Sequence, residues 1–147
     1  MNTPLMRARS VLWGLLLAGA LSACATSGAS SSLYRALGED EGIARITEYF
    51  ILEIAHDERV IRYFEDSNVQ RFREKFSEHL CMISDGPCAY TGDTLIDTHV
   101  GMGVTEGAFN AIVEDLITAM NKAGIALGTQ NRVLERLAAL RGEIIYL

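Results

Sequence analysis

Proline is nearly missing from this chain. Two occur in 147 residues, and one of them, Pro87, lies beyond the first thirty. No strand-like alternation runs for long and no internal repeat is visible, so β architectures and repeat arrays have no signal. Histidine is scarce as well. There are three, with no two at metal-ligand spacing, and the three cysteines include no Cys-x-x-Cys. That argues against zinc. Gly-x-Ser-x-Gly, a P-loop and a dinucleotide fingerprint are all missing. Positive charge is in deficit: 13 lysines and arginines face 19 acids, for a net charge of −6. A polyanion such as nucleic acid, or an anionic membrane face, is therefore a poor partner.

Against these absences stands the beginning of the chain. Arg7 and Arg9 precede an apolar run from Val11 to Leu21, which Leu21-Ser22-Ala23-Cys24 closes. Basic residues, an apolar stretch and small residues make the layout of an export signal. Eleven apolar residues are too few to span a bilayer, which takes about 20. The LSAC quartet resembles the bacterial lipobox, which implies that Cys24 becomes the lipid-carrying first residue after cleavage. An ordinary cleaved signal with an incidental cysteine is the plainer alternative. Removing residues 1–23 would leave 124 and move the net charge to −8, because two arginines and no acids leave. Residues 24–32, mostly Ala, Ser, Thr and Gly, read as a flexible tether. Membrane contact is then expected through lipid alone. Ala25, by resemblance to lipoprotein sorting signals, implies the periplasmic face of an outer membrane, if the host is Gram-negative.

Residues 33–147 suffice for one hydrophobic core. Helical spacing dominates them. Ile43, Ile46, Phe50 and Ile54 form one stripe. Phe72, Phe76 and Leu80 form a second, with Val69 and Ile83 at three-residue offsets. Phe109, Ile112, Val113, Leu116 and Met120 form a third, and Val133, Leu137 and Leu140 a last one. Thr105 and Thr129 are the expected N-caps of the last two helices. The acids of Gly38-Glu39-Asp40-Glu41-Gly42 sit where a helix N-terminus favours negative charge. The expected fold class is all-α: a short first helix, four longer ones, and a loose stretch near 84–104. That stretch is long for a connector in a small helical domain, where roughly two to eight residues are usual.

The loose stretch holds His99, in Asp97-Thr98-His99-Val100-Gly101-Met102-Gly103-Val104. Taken alone, a histidine among apolar residues is a satisfied core residue, and phenylalanines at helical spacing are core too. Four blocks change this. Ser32 to Gly38 (SLYRALG), Tyr63-Phe64, Gly86 to Gly92 (GPCAYTG) and Asp97 to Phe109 (DTHVGMGVTEGAF) resemble, in order and at fitting spacings, segments of the group 1 truncated globins. The resemblance covers residues 32–145. It implies a truncated globin-like helical sandwich around haem b, with His99 as the iron ligand. It also implies haem contacts from Ile51, Phe64, Phe72, Lys75, Phe76, His79, Leu80 and Met102. A haem needs a neutral imidazole, a dry apolar slot and an aromatic wall, which these residues supply.

The chain departs from its resemblance on the distal side. Where the family carries a tyrosine this sequence has Ile51, and where it often adds polar residues there are Phe72 and Phe76. An apolar pocket follows, and with it rapid loss of oxygen. Lys75 reads as exposed or as a contact to a haem propionate; it or His79 could instead bind iron from the distal side. Export would place Cys81 and Cys88 in an oxidising compartment, where they pair or remain buried thiols.

Three activities stay open: reversible binding of oxygen, nitric oxide or carbon monoxide; nitric oxide dioxygenation or peroxide chemistry, which needs an electron-donor reductase; and a six-coordinate redox or sensor role.

Overall fold

The computed structural model describes residues 32–147. The leader, Cys24 and the tether up to residue 31 lie outside the described residues. The domain is all-helical: α1 (Leu33–Ala36), α2 (Glu39–His56), α3 (Val69–Ile83), α4 (Leu95–His99), α5 (Glu106–Lys122) and α6 (Leu127–Ala138). Single 3-10 turns lie at Ile61–Tyr63 and Arg141–Glu143. Among the described residues, no helix is long and apolar enough to cross a membrane.

Local chemistry sets most of the boundaries. Ser32, Asn68, Thr94 and Thr105 each accept a hydrogen bond from a first-turn amide of the helix that follows. Such a cap satisfies a backbone donor that has no intrahelical partner. Thr105 caps α5 as expected. Thr129 caps nothing: α6 starts three residues earlier, after Ala126, and Thr129 lies in its first turn. The tight turn from α1 into α2 depends on glycine. Gly38 has φ +90°, and a Cβ on Gly42 would stand 1.9 Å from the Leu37 carbonyl oxygen.

α2 is the central helix, packed chiefly on α5 and then on α3. Its stripe of Ile43, Ile46, Phe50 and Ile54 is buried throughout. It meets Ala111, Leu116, Ala119 and Met120 of α5 in one core. Alanines on α5 allow close approach, and each fully buried isoleucine or leucine contributes about 1.5–3 kcal/mol relative to exposure. The stripe on α3 is less complete than its spacing implies. Leu80 is buried, Phe72 and Phe76 are half-buried, and Val69 is exposed. A helix with a half-covered apolar face borders a cleft, not a core.

The stretch 84–104 is less loose than its composition implied. Cys81 and Cys88 are bridged, with Cα atoms 5.9 Å apart. Closing so short a loop is worth about 2–3 kcal/mol in the chain-entropy account. Arg136 of α6 donates to the Ile83 carbonyl and to the Asp85 carboxylate, so the end of α3 is held from both sides. His99 sits on a helix, the five-residue α4. Thr94 caps it and in turn donates to the Asp97 carboxylate at 2.6 Å. The Thr94 hydroxyl thus satisfies one first-turn amide and fixes the Asp97 carboxylate in the first turn.

Candidate functional site

α4 packs against the final 3-10 turn, while α3 packs against α2. A cleft therefore opens between α3 and α4. One cavity in it, of about 200 Å³, is lined by Arg71, Phe72 and Lys75 of α3, Thr98 of α4, and Tyr90 and Asp93 of the loop between them. Behind it lies a smaller one, of about 90 Å³, lined by Ile51, Ile54, Phe64, Val69 and Phe72 among others. The cleft is apolar at its back and charged at its mouth.

Four phenylalanines cluster between the main core and the cleft, with Phe64 and Phe72 facing the cavities. Phe72 and Phe76, one turn apart on α3, stack with ring centroids 5.6 Å apart. Phe50 packs on Phe76 at 4.8 Å, and Phe64 meets Phe72 edge-on at 5.4 Å. These arrangements fit aromatic quadrupoles and hold the rings in fixed positions. His79 continues the same face of α3. It is 9% exposed, and its ring meets Tyr90 edge-on at 5.4 Å. Burial pushes its imidazole pKa down, against the opposing pull of Glu143, so His79 favours the neutral form. Leu80 is sealed in the main core, and Met102 packs with Val104, Ala108 and Ile145 in a second, smaller one.

The mouth is a hydrogen-bonded frame. Lys75 donates to Glu74, Glu78 and Thr91 at 2.6–3.1 Å. The bond to Glu74, then that to Glu78, raises its pKa against some desolvation. Glu78 also accepts from the Thr91 amide at 2.9 Å, which with Lys75 lowers its own pKa. Arg71 pairs with Asp93 at 2.8 Å, and Tyr90 donates to the Asp93 carbonyl. The lysine is thus neither a free surface charge nor a free amine. To bind a metal it would have to lose a proton and three partners together.

His99 is half-buried at the end of α4, next in the chain to the cavity-lining Thr98. Its Nδ1 lies 2.7 Å from the Leu95 carbonyl oxygen. A carbonyl only accepts, so Nδ1 carries the proton, and in the neutral ring Nε2 has the free lone pair. Such a bond fixes the tautomer and the orientation of an imidazole whose other nitrogen is free. His56 makes the same bond to Leu52 but is exposed at the end of α2.

Of the expected contacts, Phe72 and Lys75 line the larger cavity and Ile51, Phe64 and Phe72 the smaller; Phe76 and His79 continue the same face of α3, and His99 lines neither cavity but follows Thr98, which lines the larger one. The frame of Arg71, Glu78, Tyr90, Thr91 and Asp93 was not drawn from the sequence. The spacing of Arg71, Lys75 and Glu78, four and then three residues apart, was the available signal for a charged helical edge.

Comparison with known proteins agrees with this architecture. A family model described as bacterial-like globin matches residues 32–146. A group 1 truncated hemoglobin of Mycolicibacterium paratuberculosis is 29% identical over 114 residues, covering 78% of this chain and 84% of the relative. One from Tetrahymena thermophila is 25% identical over 107 residues, 71% and 88% of the two chains. The crystal structure of the truncated hemoglobin of Tetrahymena pyriformis in its Fe(III) form superposes with TM-score 0.74. It is 23% identical and covers 77% of this chain and 97% of its own.

Proposed function

The chain belongs to the bacterial-like globin family, and from that premise we propose that His99 binds the iron of haem b in the cleft between α3 and α4. Membership makes the protein a haem-binding globin that takes up diatomic gases such as oxygen. The observation that carries the assignment of His99 is its half-buried place beside the cavity-lining Thr98, with Nε2 freed by the bond to Leu95; His56 makes the same kind of bond but is exposed. The donor set fits the group in two further respects. Phe64 and Phe72 offer the apolar face that a porphyrin requires, and Arg71 and Lys75 line the larger cavity, where they would meet carboxylate-bearing propionates by exchanging them for their present partners Asp93, Glu74 and Glu78. Haem, when bound, supplies the iron that takes the gas. The protein's share is to orient the imidazole, exclude water and shape the opposite face.

That face favours a five-coordinate gas binder over a six-coordinate redox protein. Lys75 is held charged by its carboxylates, and His79 packs its ring against Tyr90. Adding haem to the purified protein and reducing it should give a five-coordinate ferrous spectrum that shifts on exposure to carbon monoxide. A six-coordinate ferrous spectrum before gas is added would refute the reading. Ile51, Phe72 and Phe76 offer no donor to an oxygen ligand, which favours reversible binding over dioxygenation of nitric oxide.

We further propose that the globin is carried as a lipoprotein through Cys24, with residues 24–32 as the lipid-anchored tether and the domain facing the periplasm. What supports this is the leader's charge pattern, its short apolar run and the placement of Cys24. Cys24→Ser should move the protein from the membrane pellet to the soluble fraction and abolish labelling by a radioactive fatty acid. Labelling that survives the substitution would exclude this anchor.

A further inference from the structure

A second titratable site lies away from the cleft, on the seam between α2 and α5. Asp115, in the middle of α5, is 8% exposed, and its Oδ2 is buried without a hydrogen-bond partner. Facing it is the turn that ends α2. Asp57 caps that helix, and Arg59, which holds the Asp57 carboxylate, also reaches across the seam to Glu114, the neighbour of Asp115, so that both aspartates lie at this end of the seam. Two carboxylates cannot bond each other unless one carries a proton.

The cations nearby are already engaged. Arg59 donates through its amide, Nε and Nη2 to Asp57 and through Nη1 to Glu114, at 2.6–3.0 Å. Lys122 pairs with Glu53. Across the seam, Glu53 and Asp57 from the α2 side and Glu114 and Asp115 from α5 thus face two cations. Fully ionised, the seam is two positive charges short. His56, the other titratable group at this end of α2, is exposed and bonded back to Leu52.

We propose that Asp115 and Asp57 share a proton, and that this pair is a pH-responsive latch between α2 and α5, closed when Asp115 is protonated and loosened when it ionises. Protonated, Asp115 donates to Asp57 and the seam loses one excess negative charge. Ionised, it leaves two carboxylates facing each other across a buried contact. Burial, then the Asp57 charge, pushes the Asp115 pKa up to about 6. The sign follows. A folded-state value above the unfolded one, about 3.9, means no penalty below that value and a growing penalty as pH rises through 6. The latch also has a path to the cleft. Val60, fully buried, follows Arg59, and the 3-10 turn after it leads into Phe64, whose ring packs on Phe72. This last step rests on the cleft holding haem. The latch itself does not.

Three measurements test it on the haem-loaded, carbon monoxide-bound ferrous protein. Carbon-13 NMR should show the Asp115 carboxyl titrating with a midpoint near 6, and a midpoint below 4.5 would overturn the latch. Asp115→Asn should melt within a degree of wild type at pH 4.5 but at least 5 °C higher at pH 7.5. A difference that stays flat, or one that favours wild type more as pH rises, would overturn it too. Haem transfer to an excess of a haem-scavenging protein should speed up at least threefold in wild type between pH 5.5 and 7.5, and stay level in Asp115→Asn. If both transfer rates vary in parallel while the other two results hold, the latch stands and its link to the cleft falls. The NMR titration uses the unaltered chain, so it decides the matter even if the variant fails to fold.

Discussion

Replacing His99 by alanine should strip the protein of firmly held haem. The imidazole is the proposed bond between protein and iron. Phenylalanine packing and the two cations at the mouth would remain, and they retain a porphyrin only loosely. Loss of a mere supporting partner of a metal ligand costs about 10–100-fold in affinity. Loss of the ligand itself should exceed about 100-fold, read as the rate of haem transfer to an acceptor protein. The fold should survive, because His99 is half-buried on a five-residue helix and outside both hydrophobic cores. The apoprotein melting temperature should therefore change by no more than a few degrees. Imidazole added to the buffer should enter the vacated space and restore a histidine-like spectrum. Unaltered axial coordination in the alanine variant, without added imidazole, would mean that another residue holds the iron.

What the residues revealed unaided follows the length of each periodic signal. α2 and α5 run for 18 and 17 residues, long enough for their apolar stripes to repeat four or five times. The stripe on α2 was accordingly legible, whereas on α5 only Leu116 and Met120 of the expected stripe are buried; Phe109, Ile112 and Val113 are half-buried, and Ala111 and Ala119 fill the core positions instead. α4 spans five residues, fewer than two turns, and no period can be read from that. Its signal was chemical instead: Thr94 three residues before Asp97, a cap that was overlooked. The Thr129 cap failed for a related reason. A threonine near a helix start is compatible with several boundaries, and α6 begins after Ala126 with no side-chain cap.

The candidate site was legible in its aromatic half and hidden in its polar half. Phe72, Phe76 and His79 share one face because 72, 76 and 79 recur at helical intervals. The frame around Lys75 depends on where the loop through Tyr90 and Thr91 returns, and the bridge from Cys81 to Cys88 and the grip of Arg136 direct that return. Those are contacts between distant residues, which no local pattern encodes. Asp115 is the extreme case. It sits beside Leu116, on the flank of an apolar stripe, where an acid normally reaches water. Burial against the α2 turn comes from the packing of two helices and has no sequence signature.

The distal wall makes a second large effect measurable. Ile51 is half-buried on α2, next to Phe50, and lines the 90 Å³ cavity together with Phe64 and Phe72. The wild-type protein should release oxygen quickly, because Ile51, Phe72 and Phe76 carry no side-chain donor and Lys75 is engaged by Glu74, Glu78 and Thr91. Ile51→Tyr should introduce one. The cavity gives the larger ring room, which limits the overpacking cost of about 1–3 kcal/mol that such an insertion otherwise carries. A hydrogen bond to a partly charged acceptor contributes roughly 1.5–3 kcal/mol, so oxygen dissociation should slow about ten- to a hundredfold. Carbon monoxide supplies the control, since it accumulates far less negative charge than oxygen and gains little from a donor. Stopped-flow rates for both gases separate electrostatics from crowding. If the two slow by the same factor, the tyrosine is acting as a plug. If oxygen already leaves the wild-type protein slowly, a donor other than Ile51, Phe72 or Phe76 reaches the gas, and the apolar description of this wall is wrong.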